Sequence, residues 1–106
     1  MYSSNLMFYT VPGSKTAELE NKLRALRDLV RQAGGDNPRI LHAHFASPEA
    51  PDVVFVQDAP DLATLEKQIH QVTSNAAFQE WTKKVSPLLR QSPNREIYFV
   101  VDADAD

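Results

Sequence analysis

Two histidines set two residues apart, His42 and His44, are the side chains best suited to chemistry in this sequence. On an extended strand, residues i and i+2 share a face, so both imidazoles would stand opposite Leu41, Ala43 and Phe45. A neutral imidazole near its ordinary pKa can take up a proton as a general base or ligate a metal. His44 and His42 are therefore the candidate catalytic residues. A metal site would need a third ligand; Glu49 and Asp52 are near in sequence but fall in or beside a loop, so no metal is expected. The competing reading places the two rings at a subunit interface or in hydrogen bonds across sheets.

A second constellation is aromatic. Phe78 and Trp81 are three residues apart in a helical pattern, so they lie on one face. They could wall a pocket for a flat or apolar ligand, with Tyr9 or Tyr98 supplying a phenol. Core packing is the competing reading, because aromatic residues at helical spacing are common in cores. Glu18, Glu20, Arg24 and Arg27 read as a solvated helix face. His70, beside Lys67 and Gln71, reads as surface.

Other chemistries lack their residues. The chain has no cysteine, which removes disulfides, thiolate metal sites and a cysteine nucleophile. No Gly-x-Ser-x-Gly elbow and no phosphate-cradling glycine loop is present. The formal charge of −3 argues against a nucleic-acid partner. No apolar run approaches the roughly 18 residues of a membrane span. Met1–Asn5 offers no positive or apolar signal region, so no membrane partner and a cytoplasmic location are expected.

The elements that would position these groups follow from hydrophobic period. Residues 5–11, 39–46, 52–57 and 96–101 read as strands. Leu19, Leu23, Leu26 and Val30 form the apolar face of a first helix. Ser14, or Thr16, is its expected N-cap, and Gly34-Gly35 its left-handed stop. Asp36-Asn37-Pro38 then continues the turn. Asp61 caps a second helix with the stripe Leu62, Leu65, Ile69 and Val72. Thr73-Ser74-Asn75 interrupts that helix, and Asn75 can cap a fresh stretch carrying Phe78, Trp81 and Val85, with Pro87 near its end. One domain over residues 1–106 is expected, with 102–106 a flexible acidic tail. The strands are apolar on alternate residues of both faces: Val53 and Phe55 against Val54 and Val56; Ile97, Phe99 and Val101 against Tyr98 and Val100. Two helices can cover one face, so the other calls for a second copy of the chain.

Three segments carry a resemblance: Tyr9–Gly13 (Tyr-Thr-Val-Pro-Gly), Val54–Asp58 (Val-Phe-Val-Gln-Asp) and Asn75–Trp81 (Asn-Ala-Ala-Phe-Gln-Glu-Trp). They resemble the dimeric α/β-barrel superfamily, within it the NIPSNAP-like and antibiotic-biosynthesis-monooxygenase-like domains. The resemblance spans roughly residues 5–101. It implies an α+β, ferredoxin-like βαββαβ fold with a four-stranded antiparallel sheet and two helices on one face. It also implies a homodimeric α/β barrel with sheets face to face. Such domains include cofactor-independent oxygenases, heme-degrading enzymes and isomerases. The resemblance thus implies a small-molecule-binding protein, a cofactor-independent monooxygenase or isomerase acting on a small aromatic or polyketide-like compound. A non-catalytic ligand-binding or stress-associated module is the alternative. The heme-degrading members use an asparagine on the first strand, a tryptophan on the second helix and a histidine about ten residues later. Asn5 and Trp81 match the first two places, and Asn5 joins the candidate pocket on that basis. The third place falls near Gln91, with no histidine from Gln71 to Asp106, so neither heme nor another cofactor is expected. A regulatory domain of the ACT type shares the element order, but the broken aromatic helix speaks against it. An RNA-recognition module shares it too, but Asp52–Asp58 lacks its basic and aromatic pattern.

Overall fold

The computed structural model describes residues 1–13 and 15–101. Its elements run β1 (Tyr2–Phe8), α1 (Thr16–Gln32), β2 (Asp36–His42), β3 (Val53–Ala59), α2 (Leu62–Thr73), α3 (Ala76–Val85), a 3-10 turn (Ser86–Leu88) and β4 (Asn94–Phe99). The strands form one antiparallel sheet in the order β2-β3-β1-β4. This is the expected ferredoxin-like arrangement, with the second helix in two pieces. No helix among the described residues is long and apolar enough to cross a membrane.

The apolar face of α1, its glycine stop and the two later caps act where they were read. α1 buries Leu19, Leu23, Leu26 and Val30. It stops at Gly34, whose φ of +87° is left-handed, and the Gly35 N–H bonds the Val30 carbonyl at 2.9 Å. Ser14, the expected N-cap, lies outside the described residues, as does the tail 102–106; Thr16 is the first residue of α1 itself. Asp61 accepts from the Thr64 N–H at 2.7 Å, and Asn75 from the Ala77 N–H at 2.8 Å, so each half of the broken helix has its own cap.

Strand boundaries differ from the expectation. β1 starts at Tyr2 because it pairs on both sides, with Ala59 and with Phe99. It ends at Phe8 because Asp52 captures the Thr10 N–H at 2.8 Å and draws the chain out of the ladder. β2 starts at Asp36, so Asp36-Asn37-Pro38 is not a free turn. A register shift between Asp36 and Arg39 absorbs Pro38, which has no N–H, and Asn37 takes φ 49°. β2 ends at His42, and His44 lies beyond it in a bend rather than mid-strand. The α2 stripe is also shifted. Leu62 is exposed, while Gln68 is buried with Leu65 and Val72. Gln68 is tolerated there because its amide donates to the Gly34 carbonyl at 2.9 Å.

All three helices pack on one face of the sheet. There Phe8, Val53 and Phe55 meet Leu19, Leu23, Leu26, Val30, Val72, Trp81 and Val85. The other face carries alternate residues of every strand. By the strand register, Leu41, Val54 and Met7 form one apolar row; Arg39, Val56, Asn5 and Glu96 form the next; Asp58, Ser3 and Tyr98 lie beyond. That face is therefore apolar at one end and polar toward the other. Its polar end is organised by an ion pair, Arg39 to Asp58 at 3.2 Å. On the helix side, Ile97 and Phe99 of the edge strand β4 remain exposed, at 43% and 59%.

Candidate functional site

The one aromatic helix segment stands over a gap at the edge of the sheet. α3 sits against Leu6 and Phe8 of β1 and opposite Arg95 of β4, leaving a cleft of about 270 Å³. Ligand pockets run from roughly 300 to 1,000 Å³, so this one suits a small molecule. Its walls are mostly apolar: Leu6, Phe8, Phe78, Trp81, Val85 and Leu89, with Pro93 at the β4 side. Deeper in, between the sheet and α2, a cavity of about 20 Å³ is lined by Gln57, Thr73, Phe55 and Ile69. That is room for roughly one water. Leu6, Phe78 and Arg95 border both spaces.

Trp81 is fixed by three contacts. Its Nε1–H donates to the Lys22 carbonyl of α1 at 2.7 Å. Phe8 meets its ring edge-on at 6.3 Å between centroids, and Phe78 stacks on it at 5.6 Å with 21° between planes. The indole is 9% exposed, so it is part of the core and of the cleft wall at once. Phe78 is half-buried and lines the cleft beside it.

The other expected site residues lie elsewhere. His42 is on the helix side of β2, where its Nδ1 pairs with Glu20 of α1. They sit in an open groove with Arg24, Arg27 and Arg39. His44 is exposed in the following bend, edge-on to Phe45, which is 94% exposed. Neither histidine lines the cleft of Trp81. Among the described residues no three His, Cys, Asp or Glu side chains cluster as a metal set would need. Asn5 alternates with Leu6, so it points to the face away from the helices, where Ser3 donates to its side-chain oxygen at 3.3 Å. Asn5 and Trp81 thus stand on opposite sides of the sheet. Tyr98 shares the face of Asn5, and its hydroxyl donates to Glu96. That bond to a carboxylate, with burial and the Glu96 charge adding to it, raises the phenol above its ordinary 10.0. Tyr9 is buried, with the Arg90 guanidinium 5.1 Å above its ring. The structure brings Phe78 and Trp81 together and separates them from the polar candidates.

Arg95 went unread in the sequence. It is two residues before Ile97 and alternates with Glu96, so strand period places it with Ile97 and Phe99 on the helix side. It lies opposite Leu6 in the β1–β4 ladder and donates to the Ser4 hydroxyl.

No protein-family model matches this sequence, and no curated protein sequence matches it. Solved structures do. A provisionally assigned antibiotic biosynthesis monooxygenase from Nitrosomonas europaea superposes with a TM-score of 0.70 at 17% identity, over 96% of this chain and 100% of that one. An uncharacterized NIPSNAP domain protein from Burkholderia xenovorans gives 0.68 at 18% identity, over 100% and 98%. A dimeric ferredoxin-like protein of unknown function from Thermobifida fusca gives 0.64 at 13%, over 93% and 90%. At these identities the likeness concerns backbone architecture: the chain has the ferredoxin-like fold found in antibiotic-biosynthesis-monooxygenase-like and NIPSNAP proteins.

Proposed function

We propose that this is a small-molecule-binding protein of the dimeric α/β-barrel type, with the cleft beneath α3 as its ligand site. The observation that carries this reading is the stacked Phe78–Trp81 pair, which lines the cleft together with Leu6 and Phe8 and gives it an aromatic, apolar wall. The ligand class that fits is a small aromatic or polyketide-like compound. The activity in keeping with the fold is oxidation or isomerisation without a cofactor. Fold likeness supports that activity only by analogy, since sites rather than folds determine chemistry. The sequence's candidate bases, His42 and His44, lie outside this cleft.

A specific observation favours the non-catalytic alternative. Arg95 is the only titratable side chain among the residues lining the cleft, so no general base faces it. Calorimetric titration with 1-naphthol, paired with measurement of oxygen uptake and of product, separates the two. Saturable binding with turnover supports the enzyme, and saturable binding alone supports the binding module. Absence of any saturable binding would remove the ligand-site reading.

The assembly proposed is a homodimer with the two open sheet faces together. The row Leu41, Val54 and Met7 gives that face its apolar contact, and the dimeric Thermobifida fusca neighbour shares the backbone.

A further inference from the structure

Arg95 is the one charged side chain on the wall of a mostly apolar cleft, where Thr82 and Ser86 are the other polar residues. Its charge has no counterpart: no carboxylate among the described residues lies within 4.0 Å of its guanidinium. Its sequence neighbour Glu96 belongs to the opposite face of the sheet, where it takes the Tyr98 hydroxyl. A guanidinium presents five N–H donors in a planar fork. The bond described for Arg95 goes to a neutral hydroxyl, that of Ser4, itself buried. That bond holds the head group beside Leu6 and Phe78, where both cavities meet. Partial desolvation pushes its pKa below the ordinary guanidinium value. As a residue Arg95 remains exposed, so an anion can reach its fork from solvent and be held there by two parallel charge-assisted hydrogen bonds.

We propose that the ligand of this cleft is anionic: a flat apolar body against Phe78 and Trp81, with a carboxylate, phenolate or enolate oxygen held by the fork of Arg95. The inference rests on the ligand-site reading above and narrows it to a charge class. It also bears on the missing base, since a substrate that arrives ionised needs no side chain to take its proton.

The test compares two probes of the same shape, 2-naphthoate and 2-naphthamide, by calorimetric titration of the whole protein at low and high salt. The naphthoate should bind roughly tenfold or more tightly than the amide, as expected for hydrogen bonds to a charged group. Its advantage should shrink as salt rises. Arg95→Met keeps the apolar stem, should retain the parent's circular dichroism spectrum, and should erase the preference, bringing the two probes to equal affinity. Arg95→Lys, with a point charge and no fork, should recover part of it. Equal binding of the two probes, or a preference that survives Arg95→Met, would overturn the charge assignment and leave the ligand site standing. Failure of both probes to bind would instead remove the ligand site, and this proposal with it.

Discussion

Replacing Trp81 should show how one side chain serves both core and cleft. Trp81→Ala removes a ring that is 9% exposed and touches Phe8, Phe78 and the Lys22 carbonyl. Truncating a buried tryptophan costs about 3–5 kcal/mol through lost transfer energy and the cavity left behind. Trp81→Phe divides that cost. It gives up the Nε1–H bond to Lys22, about 1 kcal/mol net. It also gives up ring volume equivalent to one or two methylenes, about 0.8 kcal/mol each. The sum is about 2 kcal/mol. Trp81 is the only tryptophan in the chain, so unfolding must be followed by far-ultraviolet circular dichroism in urea rather than by fluorescence. Protein concentration must be held fixed across variants, because dimerisation would add to the apparent stability. The expected order is parent, then Trp81→Phe, then Trp81→Ala, with 1-naphthol binding weakened in the last. A loss below about 1 kcal/mol for Trp81→Ala would refute the packing argument. A Trp81→Phe variant as stable as the parent would refute the tie between α3 and α1.

Three further outcomes are expected. Sedimentation equilibrium at micromolar concentration should give a dimer that Val54→Asp shifts to monomer; a well-folded parent monomer would contradict the sheet-to-sheet assembly. Gly35→Ala places a methyl group 2.4 Å from Val30 Cγ1 and should cost about 1–3 kcal/mol by urea unfolding, with Val30→Ala in the same chain relieving part of it; simple additivity would mean that the two do not collide. Asp61 is held below its ordinary 3.8, first by the Thr64 backbone N–H and then by the Thr64 side chain, so its contribution is complete above about pH 4 and fades as pH falls through the lowered folded-state value. Asp61→Ala should therefore melt at a lower temperature at pH 7, and the gap should close in acid; a gap that does not change with pH would show that the carboxylate charge contributes nothing.

Periodic features were legible in the sequence, and accidents of register were not. The α1 face, the Gly34 stop and the caps at Asp61 and Asn75 are local, so the residues themselves announce them. The element order followed, and with it the fold. Strand ends were misplaced because long-range bonds set them: Asp52 holding Thr10 ends β1, and the bulge at Asn37-Pro38 extends β2 backward. The histidine pair illustrates the cost. Its shared face assumed a strand running past His44, whereas β2 stops at His42. Phe78 and Trp81 were found because helical spacing suffices to bring them together. Arg95 was in reach of the same reasoning, since the alternation that placed Ile97 and Phe99 on one face includes it. Gln68 was not, because the partners that make a buried amide acceptable there, the Gly34 carbonyl and the Gln57 amide, are 34 and 11 residues away.

The break between α2 and α3 also bears on how such a chain can diversify. The Asn75 side chain closes the start of α3, and the Gln79 amide donates to the Thr73 carbonyl at 2.9 Å across the gap. α3 is thereby a self-terminated cassette, joined to α2 by a strap that does not depend on a continuous helical ladder. Lengthening it, shortening it or rotating it about its axis would resize the cleft and re-aim its aromatic wall. The packing of α2 on the sheet, through Leu65 and Val72, would stay as it is. Innovation in ligand choice can therefore proceed in about ten residues while the rest of the architecture keeps its inherited sequence constraints.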